Sequence, residues 1–214
     1  MTFQGWSAEA LEFYDGLEAD NSKAYWTAHK AVYESRVQAP MEALLAELED
    51  EFGEGKIFRP YRDVRFSADK TPYKNWIGAT LSRGGYVQLS AEGLAAGVGY
   101  HTMASDQVDR YRRAVAEDGS GEQLLRLTAQ LEKQGIEIQV RQTLKTMPRG
   151  YPKDHPRADL LRNKDIIAWR QWPVEPWLET PAGKERLAEF LRAARPLTEW
   201  LDSHVGPTTA PRER

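Results

Sequence analysis

The sequence predicts an α+β fold: an antiparallel β-meander of about four to six strands packed against N-terminal, middle and C-terminal helices. Three observations carry this expectation. Residues 7–52 and 180–205 place apolar side chains at helical spacing. Residues 58–101 switch to alternation with a period of two, interrupted by glycine-bearing turns. Short alternating runs recur at 136–140 and 165–172, after a further helical stretch. No internal repeat or break in composition divides the chain. One domain over residues 1–206 is expected, with a disordered polar tail over 207–214.

Taken in order, Ser7 is a suitable N-cap for a first helix carrying Ala10, Phe13, Tyr14 and Leu17. Asp20, Asn21 and Ser22 interrupt it, and Ser22 can cap a second helix with Tyr25, Trp26, His29, Tyr33 and Val37 on one stripe. Pro40 either kinks that helix or opens a third, which Gly53 and Gly55 end. Phe58, Val64 and Phe66 share one parity and Arg59, Tyr61, Asp63 and Arg65 the other, so 58–66 reads as a half-buried strand near an edge, given Pro60. Strands follow at 75–81, 86–91 and 94–101, with a hairpin turn at Arg83, Gly84 and Gly85. Ala95, Gly97 and Gly99 form a small-residue face that suits the close approach of a helix. Helices then start at Ser105 and after Gly121, Pro156 opens a short helix through Leu161, and Thr180 and Pro181 open a long one. Gly206 and Pro207 stop it.

Composition narrows the function classes. Apolar residues make up 41% and charged residues 29% of the 214-residue chain, an ordinary globular balance. The formal charge of −3 argues against broad, sequence-independent nucleic-acid binding. The chain has no cysteine, which excludes disulfides, thiolate chemistry and cysteine-ligated zinc. The first residues show no basic segment followed by an apolar run, and no stretch is long and apolar enough to suggest a membrane span. A cytoplasmic protein is the expectation. His29, His101, His155 and His204 stand alone, without metal-ligand spacing, and neither metal nor cofactor is expected.

The densest chemistry lies in Arg59-Pro-Tyr-Arg-Asp-Val-Arg-Phe-Ser-Ala-Asp-Lys-Thr-Pro-Tyr-Lys74. Forked arginine donors recognise carboxylates and phosphates, so Arg62, Arg65, Lys70 and Lys74 are candidate ligand-binding residues. Asp63 is a candidate general base, with Tyr73 or Lys70 as its partner. A second polar cluster over 145–164 adds Arg149 and Tyr151 as binding candidates and His155 as an acid–base candidate. Its loop is long and irregular, the kind that often carries function. Trp76 and Tyr86 can form an aromatic wall beside the first stretch. Each cluster also has a plain reading, as structural ion pairs on an edge or as a solvated surface.

The segment Arg62-Asp-Val-Arg-Phe-Ser-Ala-Asp-Lys-Thr-Pro-Tyr-Lys74 closely resembles the signature of the domain-of-unknown-function 2461 proteins of bacteria and some fungi. Supporting segments are Leu17 to Trp26, Tyr86 to Ser90, and Leu144 to Pro152 with Asp154 to Pro156 and Ala158 to Arg162. The resemblance covers about residues 6–203. The chain departs from it at Ala68, where a lysine is expected, and at Tyr25-Trp26, where Trp-Phe is expected. The resemblance implies no activity, cofactor or substrate, but both polar clusters fall within it. The leading expectation is a domain binding an anionic, phosphate- or carboxylate-bearing or nucleotide-like small molecule in a cationic cleft. A metal-independent enzyme using Asp63 or His155, and a nucleic-acid- or protein-binding module, are the alternatives.

Overall fold

The structure is a computed structural model that describes residues 2–65 and 68–210. It contains seven α-helices and a six-stranded sheet of order β1-β2-β3-β4-β6-β5. The helices are α1 (Ala8–Ala19), α2 (Lys23–Val32), α3 (Ala39–Phe52), α4 (Ser105–Ala116), α5 (Asp118–Lys133), α6 (Ala158–Arg162) and α7 (Ala182–His204). The strands are β1 (Gly55–Ile57), β2 (Trp76–Leu81), β3 (Tyr86–Ser90), β4 (Gly93–Tyr100), β5 (Glu137–Gln139) and β6 (Ile166–Trp172). The expected α+β class and meander hold. The chain divides into two compact units, Met1–Ala96 with Gln171–Leu191, and Gly97–Arg170 with Arg192–Arg214.

In the first unit, α2 and α3 form one uninterrupted helical run. Pro40 has no N–H to donate, and the run meets it with a wider π-helical turn over Tyr33–Gln38, where the N–H of Ala39 reaches back to Glu34 O. Pro40 itself falls in the first turn of α3, as one of the two expectations has it. Ser22 caps α2 as expected, accepting from the Tyr25 N–H at 3.1 Å. Ser7 does not cap α1, and its hydroxyl is buried without a partner among the described residues. Gly53, at φ 81°, ends α3 in a backbone conformation that disfavours other residues.

The core of this unit lies between the helices and one face of β2 and β3. Ile77, Ala79, Leu81, Val87 and Leu89 are all buried there, as the period of two requires. Gly55 leaves no room for a side chain, since an added Cβ would sit 2.8 Å from Leu45 of α3. Lys184 of α7 reaches Glu47 of α3 at 2.8 Å.

In the second unit, β5 and β6 pair antiparallel with Ile138 opposite Ala168. On β4, Gly97 and Gly99 stand close against β6, the next strand of the sheet. A Cβ on Gly97 would lie 2.9 Å from the Trp169 ring, and one on Gly99 would lie 2.3 Å from Ile166 O. A neighbouring backbone and an indole take the space that the missing side chains leave. Helix α5 starts at Asp118, ahead of Gly121, because Glu117 accepts from the N–H groups of Gly119 and Ser120 at 3.1 and 2.7 Å. Trp200 of α7 donates its indole N–H to Ser120 O at 3.0 Å. Residues 207–210 are tied down through Asp106, which accepts from the Thr209 N–H at 2.8 Å; 211–214 lie outside the described residues.

Candidate functional site

The cation-rich stretch folds as the far end of the β1–β2 hairpin. The ladder runs from Gly55 opposite Leu81 to Ile57 opposite Ala79, and Phe58 adds one more bond, its N–H to Gly78 O at 2.9 Å. Pairing then lapses at Pro60, which has no N–H. It returns once, as a bridge between Tyr61 and Tyr73 flanked by Arg62 N–H to Pro72 O and Lys74 N–H to Pro60 O. The strand expected over 58–66 is thus reduced to this bridge, and Phe66 and Ser67 lie outside the described residues. Strand parity does not hold either: Arg62 and Asp63, expected on opposite faces, line the same depression.

The loop between α1 and α2 holds this end of the hairpin. Asn21 accepts the Tyr73 N–H at 3.0 Å and donates to Tyr73 O at 3.1 Å and to Asn75 Oδ1 at 2.8 Å. Its amide thereby imitates a neighbouring strand. The Tyr73 ring stacks on Trp26 of α2 at 4.4 Å and 6°. Burial first, and the Tyr61 hydroxyl second, push the Tyr73 phenol above its ordinary value.

Most charges of the hairpin have partners within it. Arg65 grips Asp63 with a fork, Nε at 3.0 Å and Nη2 at 2.7 Å, and its own N–H adds a third bond. Those side-chain bonds, then the backbone one, hold the Asp63 carboxyl down at about 2. Asp69 accepts the Thr71 N–H and hydroxyl at 2.9 and 2.8 Å and pairs with Arg62; the Thr71 bonds do most to lower its pKa. Arg62 Nη1 bonds both Asp69 and Thr71 Oγ1. Its Nε and Nη2 donate to nothing among the described residues. Lys70 donates to Val64 O at 2.9 Å. Lys74 donates to Arg59 O at 2.8 Å, and its ammonium lies 4.9 Å from the Trp76 ring centre and 5.3 Å from that of Phe58. Desolvation first, and the Arg59 charge second, lower the Lys74 pKa.

An open depression of about 470 Å³ is lined by Arg62, Asp63, Lys74, Asn75 and Trp76. Because Asn75 Oδ1 already accepts from Asn21, its Nδ2 remains to donate. The lining therefore offers more donors than acceptors. Asp63 is exposed, ionised and bound to arginine, a poor general base at neutral pH. The roles of Asn21 and Asn75 escaped sequence reasoning, since a bond across more than fifty residues leaves no local pattern; Asn21 showed as a helix interruption and as part of the family-like segment from Leu17.

The second cluster falls in the other unit, and much of it is spent on the fold. Arg157 is buried, donating to Val115 O at 2.7 Å and Ala116 O at 2.9 Å at the C-terminal end of α4, and pairing with Asp118. The His155 ring nitrogen Nδ1 accepts the Arg157 N–H at 3.0 Å, ahead of α6. Arg149 is exposed and Tyr151 half-buried on a turn in which the Tyr151 N–H faces Pro148 O. Asp63 and Tyr73 belong to one unit and His155 to the other. Among the described residues no group of three or more His, Asp or Glu side chains is placed to hold a metal, and no helix is long and apolar enough to cross a membrane.

Residues 9–200 match the family model described as "Conserved hypothetical protein (DUF2461)", and the chain belongs to that family. No curated protein matches it. Among solved structures, a conserved hypothetical protein from Pyrococcus furiosus is similar with a TM-score of 0.36 and 14% identity, over 78% of this chain and 97% of that one. At that level the likeness carries no argument about fold or function.

Proposed function

For this member of the family we propose the binding of an anionic small molecule, bearing phosphate or carboxylate, in the depression at the end of the β1–β2 hairpin. One observation carries the reading. Donors from both arms of the hairpin, Arg62 on one and Lys74 and Asn75 on the other, open on one depression while its carboxylate, Asp63, is already satisfied by Arg65. The volume of about 470 Å³ lies within the usual range of small-molecule sites. Lys74 and Arg59 repel each other, and an anion between such groups relieves that repulsion. Arg149 and Tyr151 take no part in this reading. A cytoplasmic setting belongs to it, and a cysteine-free chain is compatible with one.

The test is calorimetric titration of the protein with pyrophosphate and citrate at low ionic strength. Lys74→Met and Arg62→Gln should each weaken binding about tenfold, the order expected for losing one charged hydrogen bond. Equal affinity in wild type and both variants, or no binding of either anion, refutes the proposal.

A further inference from the structure

We propose that the outward face of β2 and β3 stacks a nucleobase, so that the anion held at Arg62 and Lys74 is the phosphate of a single nucleotide. The inference rests on the anion-binding reading and adds the uncharged part of the ligand.

Register places the participants. Directly opposed residues of an antiparallel ladder share a face. Trp76 pairs with Ser90, Gly78 with Gln88, and Thr80 with both Tyr86 and Lys56, so all seven lie on the face opposite the buried Ile77, Ala79, Val87 and Leu89. Phe58 joins them through its bond to Gly78 O. Phe58, Trp76 and Tyr86 are half-buried, with the Tyr86 ring 6.3 Å from Trp76 and 6.2 Å from Phe58. Gly78 makes the floor: a Cβ there would lie 2.7 Å from both Trp76 Cζ3 and Tyr86 Oη, so the rings close over the space of a missing side chain.

These rings already host a positive group. The Lys74 ammonium lies over Trp76 and Phe58, which marks those ring faces as accessible to a flat or cationic partner. A phosphate beside Arg62 would draw that ammonium towards itself and uncover the rings for a base. Gln88 Oε1 accepts from Tyr86 Oη at 2.7 Å, which orients the amide and leaves Nε2 to meet a base edge. Trp76 belongs both to the aromatic face and to the depression that Arg62 and Lys74 line, so one molecule can touch both. Lys56 adds a second cation to the face. The occupant is a mononucleotide rather than a strand for two reasons. The depression has the volume of one small molecule, and a chain of net charge −3 repels a polyanion.

The experiment compares the four nucleoside 5′-monophosphates, ribose 5-phosphate and a mixed-sequence DNA decamer by calorimetry, with tryptophan fluorescence as a second readout. At least one monophosphate should bind about tenfold more tightly than ribose 5-phosphate, the order contributed by one base stacked on an aromatic ring. Trp76→Leu should abolish that gap and the fluorescence change. Tyr86→Leu should narrow the gap, and it serves if the first variant does not fold. Ribose 5-phosphate binding as tightly as every monophosphate overturns the stacking inference and leaves the anion site standing. Absence of binding by any phosphorylated probe overturns both. Decamer binding without monophosphate binding overturns the mononucleotide assignment.

Discussion

Replacing Asn21 by alanine isolates the contact on which the position of the hairpin depends. The side chain makes three hydrogen bonds to Tyr73 and Asn75, across 52 and 54 residues of sequence. A net hydrogen bond contributes about 1 kcal/mol, so Asn21→Ala should cost about 2–3 kcal/mol. In a chain of this size each kcal/mol moves Tm by about 2–4 °C, which gives a fall of about 4–12 °C. Ser22→Ala is the matched control, because it removes a helix cap in the same loop, worth about 1 kcal/mol, without touching the hairpin. Hydrogen exchange supplies the local readout: the Tyr73 amide, and the Arg62 and Lys74 amides that close the bridge, should lose protection in the Asn21 variant alone. Pyrophosphate affinity should fall with them, although Asn21 does not line the depression. A Tm no lower than that of Ser22→Ala, with Tyr73 protection unchanged, would refute the reasoning.

Three further outcomes test separate parts of the structure. The Asp63 carboxyl should titrate near 2 by carbon NMR and return towards 3.8, the ordinary value for an aspartate, in Arg65→Ala. Because its folded pKa is depressed, the bond it makes is fully present above pH ~4 and is lost as pH falls through about 2. Tyr33 behaves in the opposite sense: burial, with Glu42 and Tyr61 nearby, pushes its phenol to about 12, so its contribution is intact below pH ~10 and lost as pH rises through about 12. Phenolate absorbance should therefore rise together with loss of helical signal on alkaline titration, and Tyr33→Phe should shift that transition to higher pH. Gly121→Ala should destabilise the second unit by about 1–3 kcal/mol, since the new Cβ would stand 2.1 Å from Val115 O and 2.5 Å from Arg157 Nε; an unchanged melting curve contradicts that packing.

Periodicity made the elements legible and left the contacts between them hidden. Alternation at 75–81 and 86–91 located β2 and β3 closely, because a sheet with one buried face leaves a period of two in the sequence. The same pattern at 58–66 misled, because Pro60 removes a ladder donor and the alternation there comes from the hairpin's own ion pairs rather than from a buried face. Gly97 and Gly99 signalled a close approach but not its partner, which is a strand and an indole brought in from some seventy residues away. Arg157 falls in the polar run over 145–164 and Asp165 at the start of the alternating run over 165–172, yet both are buried, Asp165 accepting the Arg141 N–H at 2.7 Å. A charge that leaves solvent to hold distant backbone groups looks, in sequence, like any surface charge.

The chemistry of the hairpin divides by what the fold consumes. Arg59, Arg62, Arg65, Lys70 and Lys74 bring five positive charges and Asp63 and Asp69 two negative ones, an excess of 5 − 2 = 3 in a chain whose formal net charge is −3. Hairpins of this length close on turn bonds and cross-strand pairs without any such excess, and here Thr71, Asn21 and the Tyr61–Tyr73 bridge already supply them. The surplus also has a visible cost, since the lowered Lys74 pKa records an ammonium held partly out of water beside another cation. Arg62 is the clearest case of a divided role. Its Nη1 is committed to Asp69 and Thr71, which fixes the plane of the guanidinium, while Nε and Nη2 donate to nothing among the described residues and the residue lines the depression beside Asn75 and Trp76. A guanidinium fixed on one side loses less freedom when an anion docks on the other, so the structural bonds of the motif strengthen the binding edge they leave open.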